Sequence, residues 1–317
     1  MGDQVISEIT NTYFLLLDFK YRLEIARKTV ETRQIGFDII NARFEKGVAP
    51  AIDKNQALIQ LSIAKASVPF YQRQVAYVEN ALSILLGRNP DNILTEVELL
   101  DQDYPDDIPP GIPSSILERR PDILQAQNVW HVETANVGVA EAQRFPSISL
   151  TGLAGGVATQ QLSQAATGGF AWSASAGLLS PLLNWGKNKK RAEIQRQVAL
   201  QAAYDYEFTV INAFREVENA LITVQTLKEE VIAREEQVEA AMNSVQLSQS
   251  RYNGGVTSYL EVLESDRSSF EAQLKYSEVR QQLLNSYIEL YKVLGGGWLS
   301  PEEEQAAQDQ AANNQQP

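Results

Sequence analysis

Cysteine is absent from this chain of 317 residues, and histidine occurs once, as His131. No disulfide, thiolate metal site, cysteine nucleophile or lipid-modified N-terminal cysteine can be built from it, and one imidazole cannot make a histidine-rich metal centre. Positive charge is scarce as well: 27 Lys and Arg stand against 40 Asp and Glu, a formal net charge of -13. That is the wrong sign for a protein that draws its affinity from phosphate contacts, so nucleic acid is not an expected partner. Long hydrophobic runs are missing. A spanning helix needs about 20 predominantly apolar residues, and every apolar stretch here is interrupted well before that. Membrane strands, which alternate and are shorter, are not excluded by this. Residues 1–20 lack a basic segment followed by an apolar one, so no secretory leader is visible. No glycine-rich phosphate loop follows a strand, and no Ser, His and Asp set assembles around one histidine. Catalysis, a cofactor and a bound metal are therefore not expected. His131 reads as a surface or packing residue, and Asp122 as helix-start chemistry.

What remains can bury a core, with 44% hydrophobic and 21% charged residues. Glycine and proline are clustered, and the intervals without them carry the signal. Residues 187–253 contain neither and are rich in Ala, Glu, Gln, Arg and Leu, which predicts a helix of roughly 100 Å. A rod of that length needs a partner along its flank. Leu16, Leu23, Val30, Phe37 and Phe44 recur every seven residues, as do Leu61, Val68, Val75 and Leu82, and Val224, Val231, Val238, Val245 and Tyr252. Sustained heptads predict coiled-coil seams.

The chain also repeats itself. Residues 5–87 align without a gap onto residues 213–295, so that Glu8 meets Glu216, Asn11 meets Asn219, Arg43 meets Arg251, Gly47 meets Gly255, Val48 meets Val256 and Gly87 meets Gly295. Each copy reads as helix, glycine turn and helix, a helical hairpin present twice. Helix periodicity alone would not reproduce a turn glycine and both helix ends in register.

Different material separates the copies. Residues 89–113 are acidic, contain no Lys or Arg, and carry proline at 90, 105, 109, 110 and 113, which predicts an extended connector. A helix is expected over residues 114–144, after Pro113. From Phe145 the period changes to two: Ile148, Leu150, Gly152 and Ala154 fall on one side, with Ser147, Ser149 and Thr151 on the other. After a loop of small residues, Phe170, Trp172, Ala174, Ala176 and Leu178 alternate with Ser173, Ser175 and Gly177. Two such strands have the length and pattern of outer-membrane barrel strands, and a hairpin in a soluble sandwich would have it too. The tail from Pro301 is acidic and Gln-rich and is expected to be disordered.

Several motifs together resemble the outer-membrane efflux proteins of Gram-negative bacteria: Leu117–Asp122, Phe145–Gly152, Pro181–Gly186, Arg251–Val256, Tyr259–Leu263 and Leu294–Trp298. These TolC-like proteins are the channel components of tripartite drug and metal pumps, and the similarity is greatest to the lipoprotein factors that serve resistance-nodulation-division pumps. The resemblance implies a mainly α fold, with long coiled-coil hairpins forming an α-barrel and one β-hairpin contributing to a trimeric outer-membrane β-barrel. It places the first-repeat hairpin of a periplasmic α-barrel at 1–88 and an equatorial connector at 89–113. A helix follows at 114–144, a transmembrane β-hairpin at 145–186, the second-repeat hairpin at 187–299 and the tail at 300–317. The implied partners are two further copies of the chain, a periplasmic adaptor (membrane fusion) protein, the inner-membrane pump and outer-membrane lipid. Family members have two strand hairpins, a signal sequence and, in this branch, a lipidated cysteine. This chain therefore reads as a fragment lacking roughly the first third. A soluble coiled-coil scaffold, or a non-functional remnant of a channel, are the competing readings.

The resemblance also names a gate. The closed end of the tunnel would lie at the glycine turns, with Gly47, Val48, Gly255 and Val256 forming them and docking the adaptor. Glu261 and Glu264 are three apart on one helix face, and three copies of each would make stacked acidic rings that favour cations. Leu260 matches a constriction leucine, Arg267 an inter-protomer charge partner, and Asp53 an acid that pairs with the tyrosine matching Tyr252. Thr257 stands where relatives have arginine, which removes one latch. Phe170, Trp172 and Trp185 would be aromatics at the membrane interface.

Overall fold

The computed structural model describes residues 2–95, 97–105, 120–159, 167–180 and 185–295. The expected tail at 300–317, residues 106–119 of the connector and following helix, the loop at 160–166 and residues 181–184 lie outside the described residues. The elements run α1 (Gly2–Glu45), α2 (Ala51–Leu85), α3 (Pro121–Ala142), β1 (Ser147–Thr159), β2 (Thr167–Leu179), α4 (Lys187–Asn253) and α5 (Tyr259–Val293). They fall into two compact units, one from residues 1–120 and 213–317 and one from residues 121–212, the division passing through α4.

In the first unit α1 packs against both α2 and α5. The α2 seam is a three-and-four pattern, with Leu61, Ala64, Tyr71, Val78 and Leu82 buried. It meets Leu16, Leu23 and Ala26 of α1. Pro69 lies inside α2 without ending it. Proline deletes one ladder bond, but Val68, Tyr71 and Val75 around it are anchored on Leu23 and Ala26. The α1 heptad is only partly buried, because Leu16 and Leu23 are buried while Val30, Phe37 and Phe44 are half-exposed. The reason is that α1 serves two partners, so its buried stripe widens to include Leu17, Asp18, Ile25 and Arg33. In the second copy Val224 and Val231 are buried and Val238, Val245 and Tyr252 half-buried.

The connector folds onto these helices. Ile93 packs with Leu16, Val78 and Leu82, and Leu99 with Leu17 and Leu284. Lys20 donates to the Ile93 carbonyl, and Arg280 donates to the carbonyls of Leu100 and Gln102 at 3.2 and 3.1 Å. Arg120, also in this unit, donates to the Val293 carbonyl at 2.9 Å and pairs with Glu216 at 2.6 Å.

In the second unit α3 begins at Pro121, directly after the non-helical Arg120, and the part of the expected helix at residues 114–119 lies outside the described residues. Proline has no N–H and pushes the residue before it out of the helical region, so a helix can start at Pro121 but not run through it. His131 stacks on Trp130, which stacks on Tyr206 of α4 at 5.8 Å. The two strands pair antiparallel over their full 13 residues, with Ile148 opposite Leu178, Leu150 opposite Ala176, Ala154 opposite Trp172 and Gly156 opposite Phe170. Directly opposed residues share a face, so the apolar sides of both strands coincide. Among the described residues no helix is long and apolar enough to cross a membrane.

Candidate functional site

The two glycine turns have one backbone design. Gly47 and Gly255 adopt φ of 74° and 71°, a left-handed conformation that only glycine adopts without strain. Gly47 donates to the Phe44 carbonyl and Val48 to that of Arg43. Gly255 and Val256 do the same to Tyr252 and Arg251. This is a Schellman cap in both copies, satisfying carbonyls left open at a helix end. Val48 and Val256 are 74% and 72% exposed, so each turn presents a bare valine at its tip.

Beneath the turns four helices converge. Ile40 of α1, Ala57 of α2, and Tyr259, Val262 and Leu263 of α5 form a buried cluster, with Phe37 and Tyr252 against it. Burial, followed by the negative charge of Asp266, pushes the Tyr259 phenol up to about 12. One turn further from the cap, Arg33 joins three helices. Its Nε donates to Asp266 of α5 at 2.7 Å, its Nη1 to the Gln60 carbonyl of α2 at 2.9 Å, and its guanidinium lies 5.2 Å from the Phe270 ring centroid.

Each residue singled out in the sequence has a definite place here. Glu261, in the first turn of α5, pairs with Arg251 at 3.3 Å and accepts a hydrogen bond from the Thr257 hydroxyl. Thr257 is therefore a local support of this acid. Leu260 is 59% exposed beside it. Glu264 pairs with Arg267, which also reaches Glu271 at 3.7 Å. Asp53, in the first turn of α2, has its carboxyl pushed up by burial. The structure shows no hydrogen bond between Asp53 and Tyr252. Tyr252 instead lies under Arg43, 5.2 Å from its guanidinium, and against Tyr259 at 5.2 Å. In the second unit Phe170, Trp172 and Trp185 are exposed.

Sequence reasoning missed Arg33, Asp266 and the buried Asp18, which pairs with Arg22 at 2.8 Å and accepts from the Ser277 hydroxyl. A signal existed. Arg33 lies three residues after seam residue Val30, and Asp18 interrupts an apolar stretch between Leu17 and Phe19. Among the described residues there is no cluster of three His, Cys, Asp or Glu able to hold a metal ion.

The chain matches the family described as outer membrane efflux protein over residues 112–296, more than half of its length. The toluene efflux pump outer membrane protein TtgC of Pseudomonas putida is 33% identical over 297 residues, covering 93% of this chain and 61% of that protein. A membrane protein from Pseudomonas aeruginosa of known structure is 30% identical with a TM-score of 0.84, over 92% of this chain and 68% of that one. The open state of the MtrE outer membrane channel of Neisseria gonorrhoeae is 26% identical with a TM-score of 0.79, over 93% of this chain and 66% of that one. The chain spans about three fifths of the length of the curated relatives it matches. These proteins are named as channels and efflux components, not as enzymes. With more than half of its residues matched to that family and its helical hairpins and strand pair superposable on solved outer-membrane channels, the chain belongs to the outer membrane efflux protein family.

Proposed function

We propose that the chain works in the outer membrane as part of a passive exit duct for drugs, metals or other small solutes. Three copies would surround one passage, the two helical hairpins lining its periplasmic length and the β-hairpin entering a membrane barrel. No reaction is involved. The observation that carries this reading is the β-hairpin: Ile148, Leu150, Phe170, Trp172 and Leu178 share one face, and each is at least 72% exposed. Each such side chain gains about 1.5–3 kcal/mol on leaving water. An isolated two-stranded hairpin is marginal in water, whereas lipid on its apolar face and neighbouring strands on its edges satisfy both demands.

The gate would sit at the turns. Glu264 and Leu260 project into solvent next to a cap that holds the helix end rigid, and a three-fold axis would turn them into an acidic ring and an apolar ring. Glu261 is tied to Arg251 and Thr257, so opening the second turn requires that triangle to rearrange. Exposed Val48 and Val256 would offer an adaptor protein its contact, and the inner-membrane pump would supply the driving force. The test is planar-bilayer recording on the native polypeptide purified from its own envelope. Glu261→Gln combined with Glu264→Gln should raise conductance and weaken block by divalent cations, whereas unchanged conductance and block would sink the acidic gate.

A further inference from the structure

We propose that the foot of the β-hairpin is a docking surface for anionic phospholipid headgroups of the leaflet facing the helices. This rests on the membrane reading above and adds a lipid class and the residues that select it. In a chain of net charge -13, Arg144, Lys187, Lys189, Lys190 and Arg191 gather where the strands meet α3 and α4. Asn188 donates from Nδ2 to the Gln143 carbonyl at 2.8 Å, which brings Arg144 beside the lysines. Lys187, Lys190 and Arg191, at i, i+3 and i+4, share one helix face.

All five cations are exposed, and no ion pair is found for any of them among the described residues. Arg196, farther along the same helix, is by contrast held by Glu141 and Glu193. The cations do not serve the helix either. α2, α3 and α5 each carry an acid in the first turn, Asp53, Asp122 and Glu261, and α4 carries none. Positive charge there opposes the helix dipole and repels itself, a cost that an external anion offsets. The surface around the cations is apolar: Phe145, Ile148 and Leu179 line an open cleft at the strand ends. Trp185 is 98% exposed and is held at a φ of 44°, a strained conformation for a non-glycine residue. Aromatics at the end of a membrane strand, with flexible cations reaching past them, are what a boundary with anionic headgroups requires.

The native polypeptide, purified in non-ionic detergent, is doped with phosphatidylglycerol or with phosphatidylethanolamine, and bound lipid is counted by native mass spectrometry. Each cation close to an anionic surface contributes about fivefold in partitioning. Lys187→Gln, Lys190→Gln and Arg191→Gln together should therefore lower phosphatidylglycerol retention about a hundredfold and leave phosphatidylethanolamine retention unchanged. The charge-retaining Lys187→Arg with Lys190→Arg keeps the preference. Equal retention of both lipids by the wild type, persistence of the preference in the Gln variant, or its loss on adding millimolar inorganic phosphate would each overturn the proposal. Envelope fractionation separates the two levels: wild type in the outer membrane with no lipid preference sinks the headgroup site alone, whereas wild type absent from the outer membrane sinks the membrane reading and the site together.

Discussion

Arg33→Ala tests whether the helices below the turns are held by packing alone or by a charged tie. The Arg33 side chain is 5% exposed and its partner Asp266 is 22% exposed. Truncating one member of a buried pair costs about 3–5 kcal/mol, because the other is left as an uncompensated charge. Asp266 keeps some access to water, which places the expected cost near the lower bound, about 3 kcal/mol. The Gln60 carbonyl loses its donor and Phe270 its cation in the same step. For a compact unit of the size of residues 1–120 with 213–317, about 1 kcal/mol moves the melting midpoint by about 2–4 °C, so a drop of about 6–12 °C is expected in thermal denaturation of that unit followed by helical ellipticity. Replacing both partners, Arg33→Met with Asp266→Leu, should recover most of the loss, since a buried ion pair exchanged for apolar groups is often neutral. The double-mutant cycle is the decisive comparison. A drop below about 2 °C for Arg33→Ala, or additive effects of the two single changes, would show that the pair behaves as a surface ion pair and that the tie does not hold α1, α2 and α5 together.

Glycine positions give a contrast of sign. A Cβ at Gly255 would meet no atom within 4 Å, yet φ is 71° there, so Gly255→Ala should cost about 1–2 kcal/mol of purely backbone strain. Gly36 is helical, and its Cβ would lie at an ordinary 3.9 Å from the Tyr259 hydroxyl, so Gly36→Ala should stabilise by about 0.5–1 kcal/mol; melting curves of the two variants shifting the same way would refute the distinction. Leu260→Ser should leave the melting midpoint unchanged, because the side chain is exposed, while raising single-channel conductance; a conductance equal to wild type removes Leu260 from the constriction. Burial holds the Asp18 carboxyl above its ordinary value of 3.8, against the opposing pull of Arg22 and Ser277 and with the help of Glu278. An acid whose folded pKa is raised contributes most to stability below its unfolded value and loses that contribution as pH rises through the folded value. Asp18→Asn removes this dependence, so acidification from neutral towards pH 4 should shift the stability difference in favour of wild type; a flat difference would mean that the ion pair cancels burial, and a reversed one that it outweighs burial.

The parts legible in the sequence are those set by one residue or by strict parity. A left-handed turn needs glycine, so Gly47 and Gly255 marked both caps in register. Strand faces have period two, and the observed pairing keeps even residues opposite even ones, so the apolar side of the hairpin was readable from Phe170, Trp172 and Leu178. Partner choice was not readable. A heptad states that a helix has a seam without stating how many neighbours share it, and α1 has two. That is why Arg33 and Asp18, which face the second neighbour, escaped notice, and why Phe37 and Phe44 are less buried than a two-helix seam would make them.

The duplication explains why two equal turns do different chemistry. Arg43 and Arg251 occupy corresponding places one turn before their glycines, as Asp53 and Glu261 do after them. In the second copy Glu261 is one methylene longer than Asp53, and Arg251 closes onto it at 3.3 Å within its own hairpin. In the first copy no such pair forms, and Arg43 reaches across to the other hairpin, donating to Asn253 at 3.1 Å and lying over Tyr252. One arginine locks its own cap and the other clasps its neighbour. Tyr252 thus lies under the Arg43 clasp, and the Asp53 carboxyl, whose one shift is the upward push of burial, has no cation beside it to lower its pKa. A movement separating the two hairpins would break the Arg43 clasp first, since of these two ties it alone crosses between them, from Arg43 to Asn253, whereas a change within the second turn would also have to break the Arg251 pair with Glu261.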